Sequence, residues 1–326
     1  MAKVKAIRFS DPGGPDVLHL EQVDLPPPGR GEVTIRHTAI GLNFIDTYHR
    51  SGLYPVPLPS GIGLEAAGVI EAVGEGVTGL KPGDRVAYGT GSVGAYSEKR
   101  NYPANRVVKL PDRIADETAA AMMLKGMTAR YLLRATYKVQ PGDTILFHAA
   151  AGGVGLIAVQ WAKALGATVI GTVGSPQKAE IARAHGCDHV INYREEDVAK
   201  RVRALTGGVG VPVVYDGVGA ATVNASLDSL KIRGLLASFG NASGPVRNFD
   251  LGQLSAKGSL YVTRPTLFSY VGTDAEFKET AEDLVHMVES GKVKIEVNQR
   301  YRLADAAKAH RDLESRDTTG STILLP

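Results

Sequence analysis

The stretch that most restricts the fold is Thr144-Ile-Leu-Phe-His-Ala149, followed by Ala150-Ala-Gly-Gly-Val-Gly155 and an apolar run to Leu165. Residues 144–149 read as a buried strand, and residues 153–165 place their apolar side chains at helical spacing. Further strands are expected at 168–173, 189–193, 212–216, 234–239 and 259–263, with helices beginning near 176, 194, 220 and 251. Strands that alternate with helices imply a parallel, doubly wound sheet, because each parallel pair needs a crossover and a helix supplies it.

The turn between the first strand and its helix has the context of a dinucleotide cradle. A helix N-terminus presents unpaired N–H groups and a partial positive charge to a pyrophosphate. The usual fingerprint is G-x-G-x-x-G; here Ala150 takes the first place and Gly152 and Gly155 keep the second and third. Those two are the positions that allow phosphate approach and close helix packing. Selection for NAD ordinarily uses an Asp or Glu about 20 residues on. This chain reads Thr172-Val-Gly-Ser-Pro-Gln-Lys178 there. With no carboxylate to repel a 2′-phosphate, and with Ser175 and Lys178 able to meet one, NADPH is preferred. The same residues also suit a loop, an N-cap and a solvated helix face.

Residues 3–108 have a different texture. Glu32-Val-Thr-Ile-Arg-His37 alternates apolar with polar, and Gly74-Glu-Gly76 and Pro82-Gly-Asp84 are turn signals, so a mainly antiparallel β domain is expected. A helical run covers 116–137, and a helix near 275–290 and a strand over 321–325 return the chain to the β domain. The length of 326 residues suits two domains. The expected division is a catalytic domain of residues 1–120 and 267–326 and a nucleotide-binding domain of residues 121–266.

Composition narrows the partners. Lys and Arg number 37 against 34 Asp and Glu, a net +3 without long charge runs, which favours neither nucleic acid nor a membrane surface. The single cysteine, Cys187, excludes an intrachain disulfide. The start lacks the apolar core of a signal peptide and no apolar run approaches ~18 residues, so a soluble cytoplasmic protein is expected. His148 reads as a packed residue whose ring nitrogens find backbone partners. His185, Cys187 and His189 lack a usable fourth metal ligand. Glu195, Glu196 and Asp197 suit the first turn of a helix.

Several segments in order carry a resemblance: Ile40-Gly-Leu-Asn-Phe-Ile-Asp-Thr-Tyr48, Arg50-Ser-Gly-Leu-Tyr54, Gly61-Ile-Gly-Leu-Glu-Ala-Ala-Gly68, Lys125-Gly-Met-Thr128, His148 to Gly155, Asn192-Tyr-Arg-Glu-Glu-Asp197, Ser238-Phe-Gly-Asn241 and Tyr261-Val-Thr-Arg-Pro265. Together they resemble the medium-chain dehydrogenase/reductase superfamily, and within it the zinc-free, zeta-crystallin-like NADPH:quinone oxidoreductases. The implied fold is α/β: a GroES-like β-rich catalytic domain plus a Rossmann doubly wound sheet. Zinc enzymes of the superfamily place a Cys and a His where this chain has Asn43 and Leu64, and neither residue makes a zinc ligand.

The resemblance implies reduction of an already electron-poor acceptor, a quinone, for which cofactor positioning and a few donors suffice. It implies an active site between the domains, with Asn43, Asp46 and Tyr48 at the nicotinamide end and Tyr54 and Lys125 near the substrate. Asn43 is expected to hydrogen-bond a substrate oxygen or the nicotinamide ribose. It further implies Thr128 and Tyr131 beside the nicotinamide, Gly152, Gly153 and Val154 at the pyrophosphate, and Gly174, Ser175 and Lys178 at the 2′-phosphate. Tyr193 would flank the adenosine, Phe239, Gly240 and Asn241 would follow the fifth strand, and Arg264 and Arg316 would add charge or carboxamide contacts. A homodimer through the strand at 259–263 is implied as well. Two other readings stay open: an NADPH-dependent reductase of α,β-unsaturated carbonyls, and a non-catalytic NADPH-linked RNA-binding or structural protein.

Overall fold

In the computed structural model, which describes residues 2–326, the chain divides into two compact units. The first comprises Met1–Met127, Val271–Glu289 and Ile295–Pro326; the second comprises Thr128–Tyr270 and Ser290–Lys294.

The first unit begins with β1 (Ala2–Phe9), β2 (His19–Leu25), β3 (Glu32–Leu42), α1 (Phe44–Arg50) and β4 (Ser60–Gly61). It continues through β5 (Glu65–Val73), β6 (Arg85–Tyr88), β7 (Lys99–Pro103) and β8 (Val108–Lys109) into α2 (Asp116–Tyr131), within which the division between the units falls. The Arg85 guanidinium fixes the start of α2 by donating to the Asp116 carboxylate and the Ile114 carbonyl.

The second unit then alternates β9 (Thr144–Phe147), α3 (Gly153–Ala164), β10 (Thr168–Val173), α4 (Pro176–Ala184), β11 (His189–Asn192) and α5 (Val198–Leu205). It continues with β12 (Val211–Asp216), α6 (Val223–Ser229), β13 (Leu230–Ser238), α7 (Gly252–Ala256), β14 (Tyr261–Thr263) and α8 (Leu267–Tyr270). The chain ends in α9 (Asp274–Glu289), β15 (Val297–Arg302), α10 (Ala306–Glu314) and β16 (Ser321–Leu325).

Strands β9 to β14 form one six-stranded sheet, ordered β11-β10-β9-β12-β13-β14, in which every pair is parallel. The order reverses direction beside β9, which makes the sheet doubly wound and creates a crevice at the carboxyl ends of its strands. Its core includes Leu146, Ile170, Ile191, Val214, Leu227 and Leu236. In the first unit β3 is the hub of a seven-stranded sheet, pairing antiparallel with β5, β7 and β16. The final strand therefore belongs to the β-rich unit, as expected of the strand read at 321–325.

Several local expectations are corrected. The helix expected from residue 194 begins at Val198, because the Asn192 side chain draws the Arg194 N–H into a turn and Asp197 caps the helix by accepting from the Lys200 N–H. Glu195 and Glu196 thus precede the helix instead of opening it. The helix expected near 220 begins at Val223, after Gly219 takes a left-handed conformation. Ser259 is also left-handed, at φ 55°, which shortens the sixth strand to Tyr261–Thr263.

Replacing fully buried Leu146 on the central strand by alanine removes side-chain volume from the second unit's core. Denaturant unfolding is expected to show a loss of about 3 kcal/mol; a loss under ~1 kcal/mol would mean that this core is not packed as described.

Candidate active site

In the first unit the candidate residues gather around a carboxylate that the sequence reading left without a role. Glu65 opens β5 and is fully buried. Its Oε1 accepts the Leu124 backbone N–H at 2.9 Å, while Oε2 accepts the Asn43 side-chain amide at 2.8 Å and the Lys125 ammonium at 3.2 Å. A carboxylate buried at this depth is tolerable only with such partners. The Asn43 N–H₂, expected to face a ligand, is thereby held by Glu65. A signal for Glu65 existed in the sequence: it directly follows Leu64, the position of the missing zinc ligand, in a segment otherwise apolar and small.

Asn43 is also the N-cap of α1, and Asp46 reaches back so that its Oδ2 accepts the Asn43 N–H at 2.8 Å. The same oxygen accepts the Tyr96 hydroxyl at 2.9 Å, and Asp46 Oδ1, equally buried, has no hydrogen-bond partner among the described residues. Burial raises the Asp46 carboxyl to about 7, against the opposing pull of the Asn43 N–H, the Tyr96 hydroxyl and the Lys125 charge. Tyr48 lies buried on α1 with its ring edge-on to that of half-buried Tyr54, centroids 5.2 Å apart. Arg316 lies exposed in the left-handed turn after α10.

In the second unit the candidates converge on the carboxyl ends of the parallel strands. After β9 the backbone bends at Ala149, φ 54°, and Gly152 becomes the N-cap of α3, with Gly153 and Val154 in its first turn. A Cβ on Gly155 would lie 2.4 Å from the Ala149 carbonyl oxygen, so only glycine lets the helix start this close to the strand. The cradle that a pyrophosphate requires is therefore built from this chain's own backbone. After β10 a Cβ on Gly174 would lie 2.4 Å from the Tyr193 hydroxyl, which places exposed Tyr193 over that turn. Ser175 caps α4 by accepting the Lys178 N–H at 3.3 Å, and half-buried Lys178 follows in the same turn. Ser175 thus serves as the N-cap that its sequence context also allowed, while its O–H stays available to donate.

Beyond β13 come Phe239, whose ring approaches Phe147 with centroids 5.8 Å apart, then Gly240 and Asn241. Arg264, past β14, donates to the Ser238 carbonyl at 2.9 Å. Thr128 and Tyr131 are buried on α2, and Tyr131 stacks on Tyr270 at 4.6 Å.

Behind the cradle lies a directed hydrogen-bond chain. Ser226 Oγ donates to Asp216 Oδ2 at 2.7 Å, so its oxygen accepts from His148 Nε2–H at 3.0 Å; His148 Nδ1 then accepts the Thr172 hydroxyl at 2.9 Å. His148 is neutral, its pKa lowered by burial. Its partners are side-chain hydroxyls rather than the backbone groups expected from sequence, because Thr172 on β10 and Ser226 on α6 stand on either side of it.

Comparison with known proteins gives a consistent pattern. Residues 29–112 match the alcohol dehydrogenase GroES-like domain, and residues 153–286 match the zinc-binding dehydrogenase domain. A quinone oxidoreductase of Pseudomonas aeruginosa is 58% identical, over 99% of this chain and 99% of its own length. The crystal structure of Escherichia coli quinone oxidoreductase complexed with NADPH superposes with a TM-score of 0.97, at 53% identity over 99% of this chain and 100% of that one. A 2-haloacrylate reductase of a Burkholderia species is 48% identical over 96% of each chain.

The raised Asp46 carboxyl makes a stability prediction. A group whose folded pKa exceeds its unfolded value stabilises the fold at pH below the unfolded value, near 4, and loses that contribution as pH rises to about 7. Asp46→Asn, which mimics the protonated acid, is expected to flatten this fall by up to about 1.4 kcal/mol per pH unit. Denaturant titrations of both proteins from pH 4 to 8 measure it; parallel curves would refute the assignment.

Proposed function

Because this chain belongs to the quinone oxidoreductases of the medium-chain dehydrogenase/reductase superfamily, we propose that it reduces quinones with NADPH and without a metal. NADPH supplies the reducing equivalents. The Gly152–Gly155 turn and the N-terminus of α3 would hold its pyrophosphate, and Ser175, Lys178 and Tyr193 would meet the 2′-phosphate and adenosine. Phe239, Gly240, Asn241 and Arg264 line the same strand ends and would serve the rest of the cofactor, with Thr128 and Tyr131 beside the nicotinamide and Arg316 as an added charge.

The observation that carries the metal-free reading is the Glu65 cluster. Where a zinc enzyme has ligands, this chain has Leu64, without a donor atom, and Asn43, whose amide donates to Glu65. Lys125 brings an ammonium to that same carboxylate. A fixed cation suits an acceptor that gains negative charge as electrons arrive. A quinone needs no stronger Lewis acid, being electron-poor already, and Tyr48 and Tyr54 offer it ring faces and hydroxyls.

A homodimer through β14 fits the same reading. This strand ends the parallel sheet with β13 as its neighbour, and it exposes Tyr261 at 61% and Val262 at 39%. An exposed apolar edge is ordinarily covered. Among the described residues no helix is long and apolar enough to cross a membrane, and we place the protein in the cytoplasm.

Cofactor titration followed by fluorescence tests the binding half: NADPH is expected to bind more tightly than NADH. Lys178→Ala is expected to cost about tenfold in NADPH affinity while leaving NADH nearly unchanged. Equal affinities in the wild type would refute the 2′-phosphate assignment. Steady-state rates on a panel of 1,4-quinones and linear enones test the substrate, with faster turnover of the quinones expected. Inert quinones beside rapid enone reduction would transfer the reading to the reductases of α,β-unsaturated carbonyls. Gel filtration at micromolar concentration is expected to give a dimer.

A further inference from the structure

The hydrogen-bond chain behind the cradle crosses the parallel sheet where its strand order reverses, between β9 and β12. Asp216 ends β12, His148 follows β9, Thr172 lies on β10 and Ser226 lies on α6. All four are buried. None of them is among the residues assigned to the cofactor above, yet the chain ends on the turn that would hold its pyrophosphate.

Asp216 sets the direction of every bond. Its carboxylate accepts the Val218 and Gly219 backbone N–H groups at 2.8 and 3.0 Å and the Thr222 and Ser226 hydroxyls, each at 2.7 Å. With its one proton given to Asp216, Ser226 Oγ can only accept from the ring, so His148 carries its proton on Nε2, 3.0 Å away. A neutral imidazole protonated there accepts at Nδ1, and the Thr172 hydroxyl donates to it at 2.9 Å. The Thr172 hydroxyl oxygen is thereby turned to accept the Ala149 N–H at 3.4 Å, while the Thr172 carbonyl accepts the Ala150 N–H at 3.0 Å. The Gly152 N–H then closes the turn on the Ala149 carbonyl at 2.9 Å. Ala149, at φ 54°, is the strained residue of this turn, and its N–H is the last group the chain reaches.

We infer that Asp216, Ser226, His148 and Thr172 form a positioning chain for NADPH, holding the turn over residues 149–152 in the conformation that receives the pyrophosphate. This rests on the reading that the turn binds NADPH. The four residues act through the backbone of the turn. A turn released from Thr172 is free to relax its left-handed alanine, and the first-turn N–H groups of α3 then lose their common aim. The effect is on binding, because the shape of the turn is set before any electrons move. KM for NADPH should therefore rise in a broken chain while kcat at saturating NADPH does not fall.

Asp216 also shapes the turn at 217–219, against which Gly240 packs so closely that a Cβ would lie 2.3 Å from the Gly217 carbonyl oxygen. Its replacement would disturb more than this chain. Ser226→Ala and Thr172→Val instead interrupt it on the two sides of His148. Fluorescence titration is expected to show each variant binding NADPH about tenfold more weakly. The double variant is also expected to lose about tenfold, since the second cut falls on a chain already open. Thr172→Ser, which keeps the hydroxyl, is expected to stay within about twofold of the wild type. Adenosine 2′-monophosphate, which carries the 2′-phosphate without a pyrophosphate, is the second probe and is expected to bind every variant within about twofold of the wild type. Its binding also reports that the unit is folded. If Ser226→Ala does not fold, Thr172→Val against Thr172→Ser decides the case alone.

NADPH affinity unmoved by the two single variants, or losses that multiply to about a hundredfold in the double variant, overturns the chain. Equal losses for adenosine 2′-monophosphate also overturn it, because the effect then lies on the whole unit and not on the pyrophosphate turn. A fall in kcat with NADPH affinity kept overturns the role in binding. A wild-type protein that binds no NADPH defeats the functional reading and this inference together. One that binds NADPH with the expected pattern but reduces no quinone defeats the functional reading and leaves the positioning chain standing.

Discussion

The first unit's candidate site depends on one buried carboxylate. Glu65 joins three elements that are distant in sequence: the strand it opens, the N-terminal end of α1 through Asn43, and α2 through the Leu124 N–H and Lys125. Each partner is needed by the others, because removing either charge leaves its counterpart buried and uncompensated. A hydrophobic replacement could hold the backbone together equally well, but it could not orient an amide and an ammonium. The cluster is therefore better understood as a device for orientation than as a source of stability.

The second unit solves an equivalent problem by surrounding its buried carboxylate with uncharged donors. Asp216 accepts the backbone N–H groups of Val218 and Gly219 and the hydroxyls of Thr222 and Ser226. From there the polarity runs through Ser226 and His148 to Thr172, whose oxygen lies 3.4 Å from the Ala149 N–H. Ala149 is the left-handed residue from which the cradle turns. A non-glycine residue in that region carries strain, and the chain behind it supplies hydrogen bonds that hold it there.

How much of this was legible in the sequence differs by level. Period and punctuation were enough for the parallel sheet, since buried strands alternate with helices and most changes are marked by glycine or proline. They were enough for the tight turn between β9 and α3 too, because Gly152 and Gly155 act through local backbone geometry. Helix starts were less legible where two capping residues compete, as Asn192 and Asp197 do before α5. The buried networks were least legible: nothing local in Glu65, Tyr96 or His310 announces a partner, and the Tyr96 to His310 contact spans 214 positions. His148 shows the same limit, since burial was readable from its strand but its two hydroxyl partners were not.

Histidine is the common element in these networks, and it works by being kept neutral. Burial lowers His37 and His310 to about 3 and lowers His148 as well. A neutral imidazole has one donor and one acceptor, so fixing either nitrogen fixes the other. Arg50 fixes His310 from one side, the Asp216–Ser226 pair fixes His148, and the Ser97 carbonyl takes the Nδ1 proton of His37 at 2.7 Å. Each ring passes on a polarity without adding a charge, and a protonated ring would reverse it. A single arginine or carboxylate at one end of such a chain can thus set the direction of a hydroxyl at the other.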